Sequence, residues 1–534
     1  MIMRKISAIA AALTLGLAAF AQNGNHTVEV TNDYVTHMAG LQKTGVEMAV
    51  PDSLLHFDYK FDYSVFETPY KGAYEFSPYH IHVQPQASAY DAGKFYLRAG
   101  AGYSIRPVLD FVVAAVTKPE FSLSVYNEGR GFYGRNAGNP GSVYAGEGFF
   151  KGYDASDRFG IGARWIRPKF EAKLDLGYDL IAAGDELKWL NSMAHSGFAK
   201  VDINPVGTAG FDYKFNAKVR YTSDSELDSR KAGEVLAGIG GRVGFAIGDA
   251  QSIAFDFLLD NDTFKCDDVI DTSIAIFGVT PSYNFNKGAF AIKAGAKLDY
   301  STAQHFTVAP DVRISAKLLK DKLIFYAGAD GGQSLFDQFS MKSAFHRATI
   351  ASTVPGVNKE LIHGYVGFDG HAGHIFEWGL RAGYHNWKEA MFESLTGFGN
   401  AHLSMLYVDG RFALRSERVD FDGDFRIAKS DLMDPADVFC APLASGNMRL
   451  VYNRNRRIFA GIWAQAQTAR DGFRMEQPES IPGWVNLGVS AEYKAGTKWG
   501  LWLEAGNLLC QELWFTPLCA EKDPYATLGI SLKF

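Results

Sequence analysis

The sequence predicts an all-β chain: a single large antiparallel transmembrane β-barrel of about 22 strands. Three observations predict it. Long stretches alternate apolar and polar residues with a period of two, the pattern of strands with one dry and one wet face. Although 47% of the 534 residues are hydrophobic, no run of eighteen apolar residues follows Gln22, so a membrane reading must rest on strands. The connections between the alternating stretches are long on one side and tight on the other, as in outer-membrane barrels.

Taken from the N-terminus, Arg4 and Lys5 precede an apolar run from Ile6 to Phe20 and a small-x-small site at Ala19-Phe20-Ala21. This order predicts a secretory signal peptide over 1–21. Gln rather than Cys at position 22 argues against a lipoprotein. Without the signal, 51 basic side chains face 59 acidic ones, a net charge of −8 that gives no reason to expect nucleic-acid binding.

Residues 22–92 form a lead-in punctuated by Pro51, Pro69, Pro78 and Pro85, with nine aromatics between the first and last of these, among them Phe57, Tyr59, Tyr70 and Tyr79. Pro-spaced aromatics do not build a core of their own, yet are costly to leave in water. The expectation is a segment lying against or inside the barrel as a partial stopper, or docking a periplasmic partner.

The barrel is expected over 93–534. In Lys169 to Leu180 the even positions are Phe170, Ala172, Leu174, Leu176, Tyr178 and Leu180, against Lys169, Glu171, Lys173, Asp175, Gly177 and Asp179. Phe211 to Thr222, Phe95 to Arg106, Phe290 to Tyr300 and Val485 to Tyr493 repeat the alternation. A soluble sandwich alternates too, but here the apolar faces end in aromatics (Phe95 and Tyr103, Phe170 and Tyr178, Phe211 and Tyr221), as at two interfacial girdles. The polar faces mix both charge signs with Gly, which suits a wet lumen. Counting strands gives 22, with 20 or 24 also open. The long connections 129–157, 181–195, 223–233, 333–360, 386–400, 429–445, 469–484 and 509–524 all follow odd strands, and tight turns such as Gly248-Asp249 and Arg454-Asn455-Arg456 follow even ones.

The closing hairpin, Trp502 to Leu509 with its Asn507-Leu508-Leu509 element, followed by Tyr525 to Phe534 with Leu528-Gly529 and a terminal Phe, resembles the end of TonB-dependent receptors. The lead-in Phe57-Asp58-Tyr59-Lys60-Phe61, Pro69-Tyr70-Lys71 and Tyr96-Leu97-Arg98-Ala99-Gly100 resembles a group of receptor-like barrels from Bacteroidota. The resemblance implies a 22-stranded outer-membrane barrel with long loops outside the cell; separately, no local Ser/His-with-Asn or paired Asp/His motif appears, so no enzyme is expected. The resemblance also implies a folded plug, for which the 71 residues of 22–92 are too few. A barrel without a folded plug domain is therefore expected. His26 to Thr31 is expected to be a plain tail rather than a TonB-coupled box.

Two functions compete. In one, the chain is a transporter or pore for an unknown solute, with a lumen lined by Lys169, Glu171, Lys173, Asp175, Lys214, Lys218, Arg220, Lys293, Lys297 and Asp299. Outer loops 129–157 and 333–360 then select or gate. In the other it is a scaffold or accessory subunit among envelope proteins or lipoproteins, in outer-membrane assembly or a surface-lipoprotein complex. Outer membrane lipid is a partner in both. Phe132, Tyr133, Tyr144, Phe149, Phe150 and Tyr153 are candidate outer-loop binding residues, and the alternative is that they pack over the barrel mouth.

The four cysteines fall in predicted outer loops, with Cys510 and Cys519 the favoured disulfide pair among three connectivities. No metal or cofactor is expected. His371 and His374, near His363 and His385, flank a turn, and His80 with His82 lacks a third ligand. Asp260, Asp262, Asp267, Asp268 and Asp271 lack calcium-loop spacing and read as a solvated acidic loop. Gly238, Gly240, Gly241 and Gly244 have no following helix, which fails the test for a nucleotide loop.

Overall fold

The computed structural model describes residues 94–534 except positions 145, 147, 190, 207–210, 227–229, 268–269, 320–321, 434–436 and 475–476. The signal peptide, the segment 22–92 with its stopper role and TonB-box-like stretch, the His80/His82 pair and Asp268 lie outside the described residues.

The main sheet has 23 strands; 22 close into a barrel, and the short Cys519–Glu521 lies against the outer end of Phe121–Gly138. Every neighbouring pair is antiparallel, and the first strand, Phe95–Tyr103, closes the barrel on the last, Tyr525–Lys533, with Tyr96 opposite Lys533. The backbones of Phe95 and Phe534 exchange hydrogen bonds of 3.0 and 2.9 Å, tying the terminal aromatic to the start of the barrel. Closure leaves no sheet edge in lipid, where an unpaired backbone group would be costly.

Alternation decides which side chains meet lipid. Along Lys231–Ala246, Val235, Ile239 and Phe245 face outward and exposed, while Glu234, Leu236 and Arg242 between them are buried inside. Tyr103, Tyr178 and Tyr221 are likewise exposed on the outer surface. Several inward aromatics lie over glycines of neighbouring strands: Trp502 covers Gly529 on the paired strand and reaches Gly100 one strand beyond, and Tyr407 covers Gly383. A Cβ on Gly100 would come within 2.5 Å of the Trp502 ring.

Each expected strand has one counterpart, but the strands run further outward than the alternation foretells. Phe121–Gly138 and Phe149–Ile166, of 18 residues each, leave only 139–148 as a loop where 129–157 is expected. Likewise 333–360 shrinks to 337–355. A span of lipid needs only about 9–11 residues per strand. Beyond it the backbone ladder continues into water, where no apolar face is required and the period-2 signal fades. Phe132 and Tyr133, and Phe149, Phe150 and Tyr153, are thus strand residues rather than loop residues.

The cysteine expectation is corrected too. All four thiols are free. Cys519 is drawn into the short strand opposite Gly138 and buried, whereas Cys510 sits in an exposed turn with a φ of 53°. Cys266 ends the strand Gln251–Cys266, so only Cys440 and Cys510 lie in outer loops.

Candidate gate and lumen site

The strand alternation turns a dense set of charges inward, and these pair with one another. Glu171 takes Arg164 at 2.5 Å and Lys173 at 3.3 Å. Asp175 accepts from the Tyr126 hydroxyl at 2.7 Å. Lys218 meets Asp260 at 3.1 Å, Lys293 meets Asp311 at 2.7 Å, and Arg220 meets Asp179 at 2.8 Å. Lys297 donates to the Gly331 carbonyl and Asp299 accepts the Gln333 amide, both at 2.8 Å. Lys214 is half-buried. Lys169 stands apart: it lies exposed in the turn 167–169, and its carbonyl accepts the Tyr213 hydroxyl. Asp260 and Asp262 sit on a strand and are buried, not in a solvated loop, because their inward position turns them from water.

The outer mouth is covered. Asp337 caps a short helix, Gln338–Ala344, through the Ser340 amide at 3.1 Å, and the loop 337–355 dips into the barrel. Glu234 on the wall accepts the backbone amides of Gln338 and Phe339 at 2.5 and 3.4 Å. The Arg220 guanidinium lies 3.8 Å from the centre of the Phe339 ring. Lys342, wholly buried, meets Asp224 at 3.0 Å and Ser192 at 2.6 Å. His346 hydrogen-bonds Asp154 at 2.5 Å, Arg347 donates to the Tyr153 carbonyl, and Ile350 N donates to Glu226.

Around this loop the other outer connections form a folded cap. One apolar core gathers Tyr144, Phe150, Met341, Phe345, Phe398 and Leu518; another holds Phe439, Ile481, Trp484, Leu513 and Trp514. Arg470, on the small hairpin Arg470–Arg474 and Gln477–Ile481, clamps Glu393 at 2.6 Å. Tyr144 donates to Asp185 at 2.8 Å, and burial pushes its hydroxyl well above the usual tyrosine range. Of the six aromatic candidates, Phe132, Tyr144 and Phe150 are buried, Tyr153 is half-buried, and only Tyr133 and Phe149 are exposed. Sequence reasoning missed Lys342, Asp224, Glu234 and Phe339, because no local pattern links a loop lysine to an aspartate over a hundred residues away.

The histidines separate as well. His371 and His374 are exposed at the turn end, while His363 and His385 stack inside the wall with ring centres 3.9 Å apart. His363 contacts Asp330 and Tyr407, and His385 contacts Glu360. No group of three metal-binding side chains assembles among the described residues.

Compared by sequence with family models and with curated proteins, the chain matches none. Compared by structure, it is similar to the FrpB iron transporter of Neisseria meningitidis, with a TM-score of 0.64 over 83% of this chain and 81% of that one, at 10% identity. The shared fold is a closed 22-stranded barrel. A variant of the ferric enterobactin receptor PfeA of Pseudomonas aeruginosa gives a TM-score of 0.60 at 10% identity, covering 82% of this chain and 80% of that one. The siderophore receptor PirA of Acinetobacter baumannii gives 0.59 at 11%, with the same coverage of 82% and 80%. At such identities the likeness is one of fold. It agrees with the lipid-facing belt in making this barrel an integral outer-membrane protein, and these neighbours are named as transporters and receptors.

Proposed function

We propose that the chain is an outer-membrane transporter or pore in which loop 337–355 is the outer gate and residues 22–92 occlude part of the lumen. The observation that carries this reading is the Lys342–Asp224 pair, a fully buried charge contact holding a loop to the wall. A buried ion pair contributes little net stability over an apolar contact of the same size. Its use for a gate lies in release: once the loop lifts, both ions regain their hydration, whereas an apolar seat would be left facing water. The paired lumen charges, Lys173, Asp175, Lys293 and their partners among them, then line a polar path. Iron and siderophores belong to the named neighbours; here the solute is a polar molecule of unassigned identity, and no cofactor is assigned.

Single-channel conductance tests the gate. Deleting 338–352 should raise the closed-state conductance of a barrel that still shows heat-modifiable mobility, and an unchanged closed state would remove loop 337–355 from this role. Deleting 22–90 tests the inner occlusion in the same way.

A second reading, a scaffold or accessory subunit among envelope proteins or lipoproteins, is favoured by the folded cap, whose two apolar cores consolidate the outer loops into one surface. Gentle extraction separates the readings: stable protein partners support the scaffold, whereas a lone barrel with conductance supports transport.

A further inference from the structure

Opposite the cap, the rim where the strands meet in tight turns concentrates positive charge on one side. From Phe398–Arg415 round to Phe95–Tyr103 the strands are consecutive neighbours across the seam. Backbone hydrogen bonds link their turns: Asn453 N donates to the Arg418 carbonyl at 2.7 Å, Lys494 N to that of Arg457 at 2.8 Å, and Lys533 N to that of Lys498 at 2.9 Å. Along this arc, about 30 Å long at the usual strand spacing, Lys94, Arg418, Arg454, Arg457 and Lys498 are exposed. Arg415 beside them is engaged by Asp422, whereas among the described residues none of these five forms an ion pair. Glu417 is the one acidic side chain in the three turns. The rest of the rim is mixed: Arg167 meets Glu120 at 3.4 Å, and turn 247–250 carries only Asp249.

We propose that this arc is the docking surface for the chain's own acidic lead-in, with residues 52–75 lying across it at the inner mouth. The inference rests on the reading of 22–92 as the inner occlusion and names the surface that holds it. Charge selects this occupant. Residues 22–92 carry nine acidic side chains against three basic ones, so six of the eight net negative charges left after removal of the signal fall in this stretch. The residue pattern fits as well. Phe57-Asp58-Tyr59-Lys60-Phe61-Asp62-Tyr63 sets two carboxylates among four rings, and arginine is the side chain that both takes a carboxylate in its fork and stacks on an aromatic face. The lead-in also enters at the right place. It joins the barrel at Lys94, inside the arc, where the Lys94 carbonyl accepts the Ala114 amide at 2.8 Å. Residues 76–93 can extend about 60 Å, enough to bring 52–75 anywhere along the arc. Docking is therefore intramolecular, which raises the local concentration of the acidic segment without a separate partner. Each exposed contact is weak and screened by salt, so the latch should hold at about 0.1 M salt and release near 1 M, where the screening length falls from about 10 to about 3 Å.

Photo-crosslinking of the full chain in isolated outer membranes tests the docking. Thr497 is an exposed turn position between Lys494 and Lys498, and Thr497→p-benzoylphenylalanine places the probe there. Irradiation at low salt should give crosslinks to 52–75, mapped by mass spectrometry, and 1 M NaCl should lower their yield at least threefold. Arg454→Glu with Arg457→Glu should lower it at least fivefold, and adding Asp58→Arg with Asp62→Arg should bring it back to within twofold. Crosslinks to phospholipid or to another envelope protein in place of 52–75, no crosslink at all, or a yield indifferent to salt and to charge reversal would each overturn the docking. Conductance separates this inference from the occlusion: crosslinks to 52–75 with a closed state unchanged by deletion of 22–90 would sustain the docking and remove the occlusion, and the converse pair of results would do the reverse. Should the charge-reversed variant lose heat-modifiable mobility, the salt series on the native arginines decides alone.

Discussion

Lys342 Nζ lies 3.0 Å from Asp224 Oδ2, and neither side chain reaches solvent. Removing one member of such a pair strands the other, at a cost of about 3–5 kcal/mol. Lys342→Ala should therefore unseat loop 337–355, seen as faster hydrogen exchange over 338–352 with the rest of the barrel unchanged. The double change Lys342→Met with Asp224→Asn should recover most of the protection, since no charge is then left buried. Equal protection in Lys342→Ala and the native chain would show that the pair does not hold the loop.

Asn507 organises the last outer loop. Its backbone takes a left-handed φ of 49°, its amide donates to the Gln511 and Lys522 carbonyls at 2.9 and 3.2 Å, and its N–H donates to Asn486 Oδ1 at 2.8 Å. Asn507→Gly keeps the backbone conformation and loses the side-chain bonds; Asn507→Ala loses both advantages. The alanine variant should be the less stable, and both should lose about 1–3 kcal/mol from the unmet carbonyls. Midpoints of heat-modifiable mobility read the order, and a glycine variant less stable than alanine would contradict it.

Gly100→Ala should weaken the closing seam. The new methyl meets the Trp502 ring at 2.5 Å and the Leu528 carbonyl at 2.9 Å. The ring can turn but the carbonyl belongs to the paired strand, so a loss of about 1–3 kcal/mol is expected. Trp502→Ala in the same background should return part of it, and a purely additive double mutant would show that the ring is not the obstacle.

Thiol labelling reports the cap. An impermeant maleimide should modify Cys510, which is exposed, and spare Cys440 and Cys519. Burial pushes both of the latter thiols up, so little thiolate is present at neutral pH. Modification of Cys519 as fast as Cys510 would mean that the cap opens readily in the resting protein.

How much was legible follows from what the sequence must satisfy. Phe170 to Leu180 had to alternate because lipid and lumen make opposite demands on successive residues, so its strand and facing could be read directly. Phe132 and Tyr133 were not placed correctly, because above the membrane a strand needs no apolar face. Cys519 was misread since its partner, Gly138, is distant in the chain and only the packing of the cap sets them side by side.

The sequence by itself determined that the chain is a barrel of 20 to 24 strands: the membrane-facing side chains and the sidedness of its loops follow from local alternation and turn spacing, and closure of the sheet fixes the count at 22. Only the tertiary structure decided what closes the mouth and where charges pair. Lys342 finds Asp224, and Arg411 finds Asp369 over Gly379, because curvature of the closed wall brings together residues that no local period connects.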